Sequence, residues 1–483
     1  MTEQLVKPQE IVNEMFDYSP ESVLVDYSTS SMEYQRIRDP NHNQNAVPNN
    51  DTVRFVAPAS NSYYYLKESF IQFTLTQDKD RADFTSLAKD AFDCFSRFEL
   101  FINDRSIETV DVDPGLVSMV DSIISNDLDQ RQASQYLGYL DKFPNARVDA
   151  TGAFVEFNLD TYPMLVPAGP IFDVIDWYYN EGFVEKSNVL GGPALGAVKP
   201  IAGVNSTGAL GSPVQVGLPL IKLFKFCREA PALVGVSIRV EARLNLNIPR
   251  VVYADNAPGN MTASDFSMYV PKVQPSLKVQ SLMAKFFEKQ SQLLIGWEGY
   301  NVYQSQSLQS TSDNYIINSL RTRPLKVYLC PQATTNLGNT IDVSSSLIKI
   351  QTGANTDLIT SAQCMFNGVS IPQDLYSDLG AFNSIGWQRA YKALLGEKYS
   401  DDESSALSLK DYILHKQIIT FDLSKLSPEL FTYGGNNVLE LRVNRATATL
   451  GATYTAIVVS EKQVIMSGVG GNVQALSVVD VKN

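Results

Sequence analysis

One β-hairpin followed by a helix is written twice in this chain, and that repeat limits what the whole can fold into. The first copy, Phe98-Glu-Leu-Phe-Ile-Asn-Asp-Arg-Ser-Ile107, leads to Gly115 and an apolar run from Leu116 to Leu140. The second, Gln363-Cys-Met-Phe-Asn-Gly-Val-Ser-Ile371, leads to Gly380 and a run from Ala381 to Leu395. The same 264 residues separate Asn103 from Asn367 and Ile107 from Ile371. Solenoid and propeller units span about 20–50 residues, so a period this long duplicates a whole domain.

The 483 residues accommodate two β domains, each within the range of about 200–250 residues common for a β sandwich. Strand signals recur through both halves. Ile71, Phe73 and Leu75 alternate with Gln72, Thr74 and Thr76, and Val236 to Ile248 places an apolar residue at every second position. Further strands are expected at Val53–Val56, Phe154–Phe157, Leu218–Phe226, Leu293–Trp297, Leu325–Cys330, Val438–Val443 and Thr453–Val459. Residues 1–50 lack such periodicity and read as an N-terminal arm, with Ile11, Val12, Met15, Phe16 and Val23 to Val25 as isolated anchors. Asn256–Asn260 and Pro271–Pro275 mark a linker, and the Gly/Pro-rich stretch between Trp177 and Pro213 reads as exposed loop. The expected organisation is an arm at 1–50, a first domain at 51–250, a linker at 251–284 and a second domain with a C-terminal tail at 285–483.

Hydrophobic residues make up 44% of the chain and charged residues 19%, which suits large β cores with extended contact surfaces. The net charge of −13, with no Lys/Arg tail, argues against tight nucleic-acid binding. Cys94, Cys227, Cys330 and Cys364 have no Cys-x-x-Cys spacing and read as reduced core residues. The start Met1-Thr-Glu-Gln lacks a signal-peptide pattern, and no apolar run approaches the ~18 residues of a membrane span. The sequons at Asn205 and Asn260 then read as chance matches.

Only two histidines occur, His42 and His415, which removes most acid–base schemes and His-rich metal sites. Gly191–Gly196 lacks the lysine of a phosphate cradle, and Asp401–Glu403 reads as a solvated loop in preference to a Ca²⁺ site. Trp177-Tyr-Tyr179 suits a core or subunit contact better than a sugar platform. No catalytic, metal or cofactor residue is therefore assigned, no cofactor is expected, and the chain is not read as an enzyme.

Four stretches in order, Val53–Ser60 with Tyr65–Ile71, Phe98–Ile107, Leu218–Phe226 with Val234–Val236, and Arg323–Leu329, resemble the hexon-like double jelly-roll major capsid proteins of adenoviruses, Polinton-type elements and virophages. The resemblance covers roughly Asp51 to the C-terminus and lacks the very long insertions of adenovirus hexon towers. It implies an all-β fold of two tandem eight-stranded jelly rolls with short inserted helices. It also implies a structural homotrimer forming pseudo-hexagonal capsomers of an icosahedral double-stranded DNA virus, located in the virion after assembly in the host nucleus or cytoplasm. Neighbouring capsomers, penton and minor capsid proteins are the implied partners. The rival reading is a carbohydrate-binding or glycan-processing β-sandwich protein.

Overall fold

Period-two burial builds two pairs of facing sheets. The computed structural model describes residues 29–42, 46–60, 62–77, 85–87, 91–125, 146–148, 154–156, 214–246, 250–252, 261–276, 292–333, 359–377, 379, 384–396, 409, 412, 417–431, 437–448, 451–468 and 476–482. The first half contributes β1 (Thr29–Arg38), β2 (Thr52–Ala57), β3 (Phe70–Gln77), β4 (Phe95–Ile102), β5 (Arg105–Val110), β6 (Val214–Pro219), β7 (Ile238–Leu244) and β8 (Met261–Pro275). One sheet runs β1-β8-β3-β6, extended beside β8 by the two-residue strands Tyr63–Tyr64 and Leu233–Val234, and the other runs β2-β7-β4-β5.

The second half contributes β9 (Gln292–Gln304), β10 (Ser312–Leu320), β11 (Pro324–Ala333), β12 (Ile359–Phe366), β13 (Val369–Tyr376), β14 (Ile419–Asp422), β15 (Asn437–Arg445) and β16 (Ala452–Gly468). Its sheets run β9-β16-β11-β14 and β10-β15-β12-β13. Adding eight to each strand number of the first half gives its counterpart, so the halves share one connectivity. Two antiparallel sheets built on four such strands each, linked in this order, form a jelly roll. A last strand, β17 (Leu476–Lys482), pairs with β16.

The sequence alternation lands on the core as expected. Val53, Phe55 and Ala57 of β2 are buried while Thr52, Arg54 and Val56 are exposed, and Ile238, Val240, Ala242 and Leu244 of β7 are buried. Rings interlock between the sheets: Phe73 stacks on Phe266 at 5.2 Å and meets Phe95 edge-on at 5.6 Å.

The repeated hairpin is β4–β5 in the first barrel and β12–β13 in the second. Both two-residue turns have positive φ, 49° and 62° at Asn103 and Asp104, 46° and 85° at Asn367 and Gly368. Asparagine tolerates that region and glycine enters it without strain. Each asparagine also ties the turn to the neighbouring strand. Asn103 donates its N–H to Ser237 O at 2.9 Å and accepts the Ser237 N–H on Oδ1 at 2.8 Å. Asn367 makes the same pair of bonds with Val438, at 2.9 and 2.8 Å.

A helix follows each hairpin, α1 (Pro114–Ser125) and, in the second half, α3 (Ile385–Leu395). Asp113 caps α1 by accepting the Leu116 N–H at 3.0 Å, and Ser384 caps α3 by accepting the Trp387 N–H at 3.3 Å. Glycine stands at the second helical residue of both. A Cβ at Gly115 would lie 2.6 Å from Asp93 Oδ1, and one at Gly386 would lie 2.0 Å from Ser377 O. The helical counterpart of Gly115 is therefore Gly386; Gly380 lies outside the described residues.

Other expectations are corrected by what pairs with what. Thr29–Arg38, inside the stretch expected to be an arm, is the first strand of a sheet, and Ile37 is buried there. The Pro271–Pro275 linker signal falls within β8, where Pro271 pairs with Tyr34 of β1 and its carbonyl accepts from Tyr65 N at 3.0 Å. Leu218–Phe226 is a strand only to Pro219. Beyond it Leu220, Leu223, Phe224 and Cys227, spaced by three and four, are buried by helical turns that end in α2 (Phe226–Glu229). Ile11 to Val25, Leu140, Phe157, Asn256–Asn260 and the 157–213 stretch lie outside the described residues.

Candidate functional site

The two barrels meet along a seam of buried charge. From the first barrel come α1 with Asp121, β5 with Glu108, and the turns around α2 with Lys222, Lys225 and Phe226. From the second come Trp297 and Tyr300 of β9 and Lys462 of β16. The Tyr300 hydroxyl donates to Asp121 Oδ1 at 2.8 Å, across the boundary. Lys225 pairs with the same carboxylate and its ammonium stands 5.1 Å from the centre of the Tyr300 ring. Lys222 adds a second ammonium 3.6 Å from Asp121 Oδ2. Apolar contact continues the seam, with Phe226 edge-on to Trp297 at 5.1 Å.

Glu108 lies beside this cluster. Its Oε2 accepts the Phe226 N–H at 2.8 Å, and Lys462 donates to Tyr300 O at 3.1 Å. Gly299 sits between them: a Cβ there would lie 2.6 Å from both Glu108 Oε1 and Lys462 Cδ. Glycine is what lets the carboxylate and the lysine stem approach.

The two acids respond differently to burial. For Glu108 burial prevails over the nearby Lys462 and the Phe226 N–H, and its carboxyl is pushed up. Burial also opposes ionisation of Asp121, but Lys225 and Lys222 together outweigh it and hold the carboxyl below its ordinary value. Burial lowers both Lys225 and Lys462, against the pull of Asp121 and Glu108 respectively. The seam opens into a cleft of ≈ 720 Å³ whose rim mixes Arg228 and Lys326 with Glu229, Glu298 and Glu461. A rim that carries both cations and acids selects no single sign of ligand. What this arrangement does chemically is clamp one barrel to the other.

The fold has counterparts among solved structures. A chain in the structure of the Sputnik virophage matches over 94% of this chain and 89% of its own, with a TM-score of 0.51 at 12% identity. The chain is a double jelly roll. The mavirus major capsid protein aligns over 92% and 90% of the two chains at 10% identity, TM-score 0.47, and the Faustovirus major capsid protein over 94% and 96% at 9% identity, TM-score 0.47. No protein-family model and no curated protein matches the sequence.

Within this double jelly roll the four cysteines are buried free thiols, as their apolar settings predict. His42 is not a loose arm residue. Its Nδ1 is 2.7 Å from Asp39 Oδ2 and its Nε2 3.4 Å from Asp51 Oδ2, so it clips the end of β1 to the start of β2. The hydrogen bond to Asp39 raises its pKa. His415, Asp401–Glu403, Trp177–Tyr179, Gly191–Gly196, Asn205 and Asn260 lie outside the described residues. Among the described residues no group of three or more His, Cys, Asp or Glu is placed to hold a metal, and no helix is long and apolar enough to cross a membrane.

Sequence reasoning assigned no role to Glu108, Asp121, Lys225, Tyr300 or Lys462. One signal was available. Asp121 is the single charge in the run Leu116–Ile124, which is otherwise apolar apart from Ser118 and Ser122, and a lone acid at such a position needs a buried partner.

Proposed function

We propose that this chain is a structural capsid subunit whose activity is assembly, not catalysis. The observation that carries the reading is the strand-for-strand duplication joined by a buried seam, which makes one polypeptide a rigid two-barrel block. Three such blocks around a threefold axis present six barrels, and a six-barrelled object can fill a pseudo-hexagonal lattice position. The fold shared with a chain of the Sputnik virophage particle supports the same reading, as does the resemblance drawn from the sequence. In this reading the subunit resides in the virion of an icosahedral double-stranded DNA virus or virus-like element. Its partners there are neighbouring capsomers, penton and minor capsid proteins.

Residues 1–25, which precede β1, serve in this proposal as an assembly arm that orders against neighbours. With a net charge of −13 the capsomer holds DNA by enclosure and not by tight binding. Light scattering on the purified chain tests the central claim. A mass of three chains of 53.4 kDa, together with six-lobed particles by electron microscopy, is the expected outcome. A folded protein that stays a single chain at micromolar concentration would refute it.

A further inference from the structure

The two helices that follow the repeated hairpins share a register but not a fate. Counting from their caps, Asp113 and Ser384, the residues Pro114, Val117, Ser118 and Asp121 of α1 correspond to Ile385, Gln388, Arg389 and Lys392 of α3. All four in α1 are buried, and Asp121 is among those covered by the second barrel. All four in α3 are exposed, and Ile385 is 72% exposed, the highest value among the large hydrophobic residues that reach the described surface. Val369 and Leu375 of β13 add exposed apolar surface beside the same hairpin.

The first strands of the two barrels show the converse. In β9, Trp297 and Tyr300 are buried in the seam. In β1, Met32 and Tyr34 are 38% and 49% exposed. Tyr34 stands 6.2 Å from Phe70, which stacks on Tyr269 at 4.9 Å, so an aromatic patch lies open on the first barrel. Both strands carry a tyrosine that donates to a carboxylate: Tyr300 to Asp121 of the helix, and Tyr34 to Glu68 at 2.8 Å. Five of the nine exposed large hydrophobics, Met32, Tyr34, Val369, Leu375 and Ile385, fall on these two surfaces, and each surface matches one half of the seam already built within the chain.

We propose that α3 and β13 of one protomer seat on β1 of a second copy, repeating between chains the contact that α1 and β5 make with β9 inside the chain. Ile385 covers Met32 and Tyr34, while Arg389 and Lys392 face the carboxylate side of the patch at Glu68. The two surfaces differ, so the contact is head to tail and not paired about a twofold axis; repeated through a threefold rotation, as the capsomer reading requires, it closes into a ring. This rests on the capsomer reading and adds the surfaces that make it.

Two variants test it. Ile385→Asp alters a side chain that contributes little to the core, so the melting of each barrel should persist while the light-scattering mass falls from three chains to one. The double variant Tyr34→Cys/Ile385→Cys, treated with a flexible bis-maleimide, should give a denaturing-gel ladder that ends at three chains, and neither single variant should. The four native thiols are buried and do not compete. A three-chain mass that survives Ile385→Asp, or a double variant that fails to cross-link, overturns this contact while leaving the capsomer reading intact. A wild-type protein of one or two chains overturns both.

Discussion

Inside the second barrel Arg445 and Asp313 form a closed pair, whereas the seam between the barrels gathers three lysines around two acids. Arg445 Nη2 lies 3.2 Å from Asp313 Oδ2 with both side chains almost fully buried. The guanidinium also donates to Ser310 O, at 2.9 Å from Nη2 and 3.2 Å from Nε, and the Tyr454 hydroxyl donates to Asp313 at 2.6 Å. One cation meets one anion, and the loop before β10 is fixed to β15 and β16. In the seam, Asp121 serves Lys222 and Lys225 together while Glu108 and Lys462 are both displaced toward their neutral forms. The pair within the barrel fixes local geometry; at the contact between barrels burial has displaced Glu108 and Lys462 toward neutrality, so that contact responds to pH.

The largest effect should come from breaking the closed pair. Arg445→Leu strands a buried carboxylate whose remaining described partner is Tyr454, and loss of one member of such a pair costs about 3–5 kcal/mol. Denaturant unfolding should show that loss in the second barrel. A midpoint within error of wild type would mean that the Arg445–Asp313 pair does not hold the second barrel together and the contrast with the seam is false.

Next comes the packing of the seam. In Gly299→Val the new side chain collides with Glu108 and Lys462, and overpacking of this kind costs about 1–3 kcal/mol. The strain falls between the barrels, so amides of the seam should exchange faster while the barrels keep their strand content. Unaltered exchange would show that the two halves hold together without the Glu108–Lys462 approach.

A comparison of the two hairpins sharpens the account of the repeat itself. Position two of the turn is Asp104 in one barrel, at φ 62°, and Gly368 in the other, at φ 85°. Gly368→Val should destabilise the second barrel by about 1 kcal/mol or more, because a β-branched residue resists that region. A Cβ at Gly368 meets nothing within 4 Å, so the cost is conformational and not steric crowding by neighbours. An unchanged melt would mean that backbone strain is not what selects glycine there.

The hairpins were legible because their signal is local. Alternation fixes the buried face, and Asn at a fixed place in the turn fixes the register. Leu218–Phe226 misled for the opposite reason: a run apolar at nearly every position has no visible period, and Pro219 with the 3–4 spacing beyond it made the turns helical. The strand at Thr29–Arg38 escaped because an edge strand with one partner has no fully buried face: exposed Glu33, Arg36 and Arg38 are mixed with Met32, Tyr34 and Ile37, and no sustained apolar alternation shows. The seam escaped because its members come from five separated segments, and no local pattern says that Asp121 will meet Tyr300.

The smallest effect at neutral pH, and the most direct on the contrast between the clusters, belongs to Glu108→Gln. Glutamine keeps an acceptor for the Phe226 N–H and removes a charge that burial disfavours, so the change near pH 7 should be about 1 kcal/mol or less. The pH profile should change shape instead. Glu108 in the folded state has a pKa above 4.5, so the native protein holds that proton more tightly than the unfolded chain. Stability from Glu108 therefore falls as pH rises from 4.5 toward the folded value and is level above it. Asp121 runs the other way: its folded pKa lies below 3.8, so its contribution is present above 3.8 and is lost as pH falls through the folded value. Wild type superposes the two, with a decline on the neutral side of the acid range and a loss at its acid end. In Glu108→Gln the decline should vanish while the acid loss from Asp121 remains. Denaturant midpoints taken every half unit across this range read both features. A decline that persists in the variant would place its origin outside Glu108.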